Sequence, residues 1–500
     1  MKISIKREQN DACIGSAERE KFGTMFKKTF RFLSMAALLV VGAIMTGCSS
    51  DDNIDNPQQP ANKDNVVTLT ATVSLDGGAG TRAITPGGTA ADPWTKTFES
   101  TNKIAVIYQN GDGTQKAESG TLTLSADGTK ATFTVSLTSP TSNSAIRYIY
   151  PASMAKTPAT TATITDDAAT IDYSGLFSSQ NGDLTTLGTN YDLAVFDGAL
   201  SGTDLPTSTT LANPLAICKF TFKDTGSNDI TSITRLTVSD GTNAYGISTS
   251  GLSEIYVAMK PVASGNIAFT AATASKTYFR TVTGKSLAAS KLYTNITVGS
   301  MVELTLGKVF CSDGSVYADA SAATTAGKTP VAKIAYLGKD SETSTANIAF
   351  KNGLALALED VSGTKAWCSQ NSVTCLGTGH QFDSEAGAKG DMAGIDNTDA
   401  LVNHIGHTHD AASAARGYNS GTHPTGTSAW FLPSAGQWNK MATAAGSYAN
   451  LKTNTGLELA HYWSSTEVSA LYAWLFRSDD GSWFSGGRVE GNRVRAVLAF

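Results

Sequence analysis

The residues with the most chemical promise are the six histidines, His380, His404, His407, His409, His423 and His461, all in the last third of the chain. In "NHIGHTHD", His404 and His407 stand about one helical turn apart, and His409 and Asp410 follow. Such a set could ligate zinc. Gly406 interrupts a helix there, however, and His409 with Asp410 more simply opens a short Ala-rich helix over 411–416. The expectation is a chain without metal or cofactor, with His404, His407 and His409 the candidates if one binds. Cys311, Cys368 and Cys375 allow one disulfide and leave one thiol over, while Cys218 reads as a buried strand residue. Asp479, Asp480 and Glu490 are carboxylates in one stretch, "RSDDGSWFSGGRVEGN". A glycan hydrolase would need two of them in a cleft, about 5–10 Å apart. Asp-Asp-Gly is also simply a turn. A glycan-active or metal-dependent enzyme is the alternative reading; a binding protein without a catalytic residue is the first.

The elements that must position these groups are mostly strands. The chain has 500 residues, enough for two or three domains. Charged residues make up 16%, with Thr, Ser, Ala and Gly in their place, and the net charge is −5. That excludes a basic field for nucleic acid. Residues 25–48, "MFKKTFRFLSMAALLVVGAIMTGC", have a basic start and an apolar run over 35–45, too short for a comfortable span, and read as a signal peptide that begins at Met25. Thr46-Gly47-Cys48 resembles a bacterial lipobox, which makes Cys48 the expected lipidation site. "SSDDN" after it resembles the acidic tag that sends Bacteroidota lipoproteins to the cell surface. Residues 1–48 are thus an extension plus signal, and 49–64 a flexible polar tether.

Residues 66–75 alternate, with Val67, Leu69, Ala71, Val73 and Leu75 on one face and Thr68, Thr70, Thr72 and Ser74 on the other. Short β-branched runs then recur at 103–108, 121–124, 131–137, 146–150, 217–222, 231–238, 266–271 and 293–298, separated by Gly, Asp and Asn turns, with no convincing helix. The expected fold is mainly β: two antiparallel β-sandwich units, 65–205 and 206–302. With its Thr-rich first strand, "TRAITP", "NKIAVIYQ", "YIYPAS", "AICKFTFKDTG" and "YTNITV", this region resembles the fimbrillin family, the pilins and pilus accessory lipoproteins of Bacteroidota. The resemblance implies a surface lipoprotein of the outer membrane, taken into a pilus. It also implies processing between Arg82 and Ala83, which frees the first strand so that another pilus subunit adds its own by β-augmentation.

Helical patterns begin in 303–500. In "PSAGQWNKMATAAG", Ser434 and Gln437 form a capping box, Trp438, Met441, Ala442 and Ala445 share a face, and Gly446 ends it. With "FLPS", "WSSTE" and "RVR", the module resembles the α+β C-type-lectin-like fold, in the branch of the formylglycine-generating enzymes. No cysteine follows Cys375, so the thiol chemistry of those enzymes is excluded. Trp430, Trp438, Trp463 and Trp474 are expected in the core, with Trp483 at the surface.

Over 468–492, Ala473, Trp474, Phe476, Gly481 and Trp483 read as a fixed skeleton. Between them Val468, Leu471, Tyr472, Leu475, Arg477, Asp479, Ser482, Phe484, Ser485, Gly486, Gly487, Arg488, Val489 and Gly491 share no physical preference. Each arises from an AAC codon whose adenines are replaced; Glu490 does not. The pattern resembles the targets of diversity-generating retroelements. It implies a variable loop that binds a surface protein or glycan of a host, bacterium or phage. The residues expected to make contact are Val468, Leu471, Tyr472, Leu475, Arg477, Asp479, Ser482, Trp483, Phe484, Ser485, Arg488 and Val489.

Overall fold

The computed structural model describes residues 66–75 and 97–500, apart from 160–161, 192, 340, 343–348, 372–373 and 378–379. The signal, the tether, Cys48, Arg82 and Ala83 lie outside the described residues. No described helix is long and apolar enough to cross a membrane.

The chain is mainly β. Its first sheet has seven strands, in the order Ala194–Ala199, Ala145–Tyr150, Lys103–Gln109, Gln115–Leu124, Lys130–Thr138, Val66–Leu75 and Ser208–Leu211. The alternation of Val66–Leu75 sends Ala71, Val73 and Leu75 into the core. Its threonines Thr68, Thr70 and Thr72 bond across the strand pair to the hydroxyls of Ser136, Thr134 and Thr132. Paired hydroxyls on one face and packed apolar residues on the other fix the register, because a slip of one residue would exchange the two faces. The two edge strands meet through reciprocal 2.8 Å bonds between Val195 and Ala212, so the sheet curls onto itself.

The second sheet runs Ala244–Leu252, Ile233–Ser239, Val262–Ala272, Thr277–Leu287, Lys291–Glu303, Ala216–Asp224 and Ile255–Met259. Three features differ from expectation. Each sheet carries one parallel pairing, Val66–Leu75 with Ser208–Leu211 and Lys291–Glu303 with Ala216–Asp224, so neither unit is purely antiparallel. The boundary lies after 211 rather than at 205, because Ser208–Leu211 completes the first sheet. Short helices Asp167–Thr170, Ser174–Ser178 and Leu184–Asn190 occur where none was expected. They are too brief to show a helical period. Leu176, Leu187 and Tyr191 from this stretch join Ile107 and Ile149 of the first sheet and Phe220 and Val257 of the second in one core.

The third module has a five-stranded sheet, Val316–Tyr317, Val309–Cys311, Pro330–Leu337, Gly353–Ala357 and Val497–Ala499. Helix Ala435–Ala444 carries the anticipated capping box. Phe279 of the second unit packs on Phe310, and Phe310 on the C-terminal Phe500. Thr237 Oγ1 donates to the Ala349 carbonyl, and Arg235 to that of Lys351. The second and third modules therefore share apolar and polar contacts.

Candidate functional site

The site is built on a three-stranded antiparallel sheet, His461–Glu467, Tyr472–Arg477 and Trp483–Gly487. The stretch expected as a loop over 477–492 is thus a turn, an edge strand and a second turn leading into Gly491–Asn492, which pairs with Lys365–Ala366. Arg477 N bonds the Ser482 carbonyl, and Ser482 N bonds Asp480 Oδ1 at 2.9 Å. Gly481 sits at φ +74°, where a Cβ would lie 2.3 Å from the Tyr448 ring. That left-handed position with no side-chain space requires glycine. The Ser482 amide lowers the Asp480 carboxyl below its ordinary value, and Asp479 Oδ1 pairs with Arg477 at 2.9 Å. The Asp-Asp-Gly segment is a turn.

Motif residues lock this sheet. Trp463, Ala473 and Leu475 face one core with Trp367 and Trp430. Phe476 and Tyr462 face another with Trp438. Thr466 Oγ1 accepts the Ala435 amide at the start of the capped helix and donates to Asp391. Arg495 is buried against Asp360 and donates to the Ala357 and Gly456 carbonyls. Glu467, the last residue of "WSSTE", forms a fully buried ion pair with Arg488 at 2.8 Å. Its carboxylate also accepts from the amides of Cys375 and Leu376 and from Gln381 Nε2. The Arg488 guanidinium lies 4.7 Å over the Trp367 ring, touches Cys375 Sγ and donates to the Ala470 carbonyl.

This corrects four expectations. Arg488 is 0% exposed and Leu475 4%, so neither can meet a ligand. Pairing with Glu467 draws the arginine inward, and alternation along Tyr472–Arg477 turns Leu475 onto Trp463. Trp483 is half-buried: its Nε1 donates to the Tyr448 hydroxyl, and its ring packs on Phe476. Gly486 is not free to vary either, since a Cβ there would lie 2.3 Å from Leu475 Cδ2. The core positions of Trp430, Trp438, Trp463 and Trp474 are as expected.

The remaining candidates lie outside. Leu471, Tyr472, Phe484 and Val489 are 43–47% exposed. Arg477 and Ser485 are also exposed, and Val468, Asp479 and Ser482 half-buried. Phe484 packs edge-on against exposed His461 at 5.2 Å. The Arg488 amide bonds the Leu471 carbonyl.

Beneath the sheet the structure gathers His404, His407 and His409. The ring of His404 is 5.3 Å from those of both His407 and His409. His409 precedes helix Asp410–Arg416, as anticipated, but its side chain does not cap it. The ring turns inward, 1% exposed, and Nδ1 bonds the Trp367 carbonyl at 3.1 Å. Burial holds its pKa down to about 4. The same region contains Cys368 and Cys375, whose ligand atoms and that of His409 all lie within 4.8 Å of one another. Burial pushes the Cys375 thiol up to about 12, against the pull of Arg488. Sequence reasoning missed Trp367, Glu467 and this juxtaposition. "WSSTE" carried a signal for Glu467, an acid in an otherwise buried strand; nothing in the spacing tied the cysteines to His409.

No family model matches the chain, and no curated protein does. Among solved structures it is similar to a candidate cell adhesion protein from Bacteroides fragilis, at 12% identity over 50% of this chain and 95% of that one, with a TM-score of 0.27. It is similar to a fimbrial assembly protein from Parabacteroides distasonis at 9% identity, over 47% and 93%, with a TM-score of 0.24. A streptococcal ancillary pilin matches at 12% identity, over 49% and 72%, with a TM-score of 0.18. At scores and identities this low, the reading of the site rests on the chain's own residues.

Proposed function

We propose that the protein is a cell-surface adhesin, anchored in the outer membrane through lipidated Cys48 and taken into a pilus as its tip or an accessory subunit. The outer part of the three-stranded sheet, Leu471, Tyr472, Arg477, Phe484, Ser485 and Val489, binds a protein or glycan on another surface. The observation that carries this reading is the contrast within one hairpin. Large apolar side chains stand in solvent at 43–47% exposure, while the buried Glu467–Arg488 pair holds the backbone beneath them. Exposed apolar residues on a rigid support lose little entropy on binding, and aromatic and Arg side chains dominate binding hot spots. Genetic variation in this surface is confined to its exposed positions; Leu475, Gly486 and Arg488 stay fixed.

A further contact supports a place in a pilus. Val66–Leu75 lies between Lys130–Thr138 and Ser208–Leu211, so its release after a cut at Arg82 leaves a groove lined by the partners of Ala71 and Val73. A subunit of this kind accepts a donor strand. The test is adhesion of the purified protein to arrays of glycans and surface proteins. Tyr472→Ala and Phe484→Ala abolish the signal on the reading proposed; a signal unchanged in the double variant refutes it.

A further inference from the structure

Of the groups outside the binding sheet, the cluster beneath it carries most. Cys368 Sγ, Cys375 Sγ and a ring nitrogen of His409 lie within 4.8 Å of one another. Tetrahedral zinc with Zn–S bonds of about 2.3 Å sets sulfurs about 3.8 Å apart, so closure needs shifts of no more than about 1 Å. Each ligand is held by its own support. The Trp367 and Cys368 amides both bond the Arg488 carbonyl, at 2.8 and 3.0 Å. The Cys375 amide bonds the Glu467 carboxylate. His409 Nδ1 is engaged by the Trp367 carbonyl, leaving Nε2 as the ring nitrogen without a hydrogen-bond partner. A backbone carbonyl on one ring nitrogen is how metal-ligating histidines are oriented.

The second observation is an unmet donor or acceptor at that point. His409 is 1% exposed, and its Nε2 is buried without a hydrogen-bond partner. A buried polar atom left unpaired costs about 1–3 kcal/mol unless something occupies it. His404 Nδ1 is likewise buried and unpartnered, on a ring 5.3 Å from that of His409. Charge also balances: two thiolates cancel a dication, and Arg488 is already matched by Glu467.

We propose that Cys368, Cys375 and His409 form a zinc site that ties the 368–375 loop to the start of helix Asp410–Arg416. Two sulfurs and an imidazole suit zinc among the divalent ions. On binding, each cysteine releases its proton to solvent and both sulfurs bind as thiolates. The site stabilises the floor of the sheet and holds independently of which ligand that sheet binds.

The experiment uses the full chain, purified without chelator. Elemental analysis is expected to find one zinc per chain, and cobalt exchanged into the site to give thiolate-to-metal charge-transfer absorption with a tetrahedral d–d spectrum. Cys368→Ser with Cys375→Ser removes both. His409→Ala weakens zinc at least about tenfold in competition with a chromogenic chelator. The His409→Ala variant decides the question if the cysteine variants fail to fold. A chain whose mass is two hydrogens below the dithiol form, with Cys368 and Cys375 in one peptide pair, would overturn the site in favour of a disulfide. So would zinc binding that survives the cysteine substitutions in a folded chain.

Discussion

Replacing Arg488 by Met tests whether the hairpin is held from beneath. Arg488 and Glu467 are both fully buried, and their ion pair is 2.8 Å long. The variant removes the positive charge and leaves Glu467 buried with three backbone or amide donors, from Cys375, Leu376 and Gln381. Breaking a buried pair from one side costs about 3–5 kcal/mol, and the remaining donors hold the loss toward the lower end. Loss of the stacking on Trp367 adds about 0.5–1 kcal/mol. Six of the seven tryptophans lie in the third module, so their fluorescence reports its unfolding. In a module of about 200 residues, 3 kcal/mol lowers Tm by roughly 6–12 °C. Glu467→Gln in the same chain removes the stranded charge and recovers at least about 1 kcal/mol. A single-variant loss under about 1 kcal/mol, or a double variant no better than the single, would refute the reasoning.

Three other outcomes follow from the geometry. Gly486→Val drives a Cβ onto Leu475 and Trp463 and costs about 1–3 kcal/mol by urea titration, whereas Ser485→Val at the neighbouring exposed position changes stability by less than about 0.5 kcal/mol. Protein recovered from assembled pili begins at Ala83, read by N-terminal sequencing, whereas the form still anchored through Cys48 does not; pilus protein whose terminus always lies upstream of Arg82 excludes strand release. Burial lowers the His423 pKa below 6.5. The unfolded chain then takes up a proton that the folded one refuses, so this contribution to stability is complete above about pH 6.5 and declines as pH falls below it. His423→Gln flattens that part of the acid limb in pH-dependent thermal melts.

Strand positions with alternating residues were legible, because one face of each sheet is packed: Val66–Leu75 and Lys130–Thr138 both alternate inward apolar and outward Thr or Ser residues. The capped helix Ala435–Ala444 was legible because Ser434 and Gln437 satisfy each other locally. The parallel pairings were hidden, since nothing in Ser208–Leu211 tells which neighbour it joins. In the three-stranded sheet, composition separated the aromatic skeleton correctly at Trp474 and Phe476. It failed at Leu475 and Arg488, because whether a side chain turns inward depends on partners distant in sequence: Trp463 for Leu475, and Glu467 with Trp367 for Arg488. The cysteine–histidine cluster was hidden for the same reason, its members brought together by the Arg488 carbonyl and the Trp367 backbone.

The claim that the outer sheet binds while the pair beneath supports it is tested most directly by one comparison on cells. Bacteria displaying the full chain, or the chain with Tyr472→Ala and Phe484→Ala, are measured for attachment to target surfaces at equal surface density and equal melting temperature. The account predicts attachment lost at least about a hundredfold, as expected when two exposed hot-spot aromatics costing roughly 2 kcal/mol or more each are removed. Attachment equal to that of the unaltered chain would contradict it.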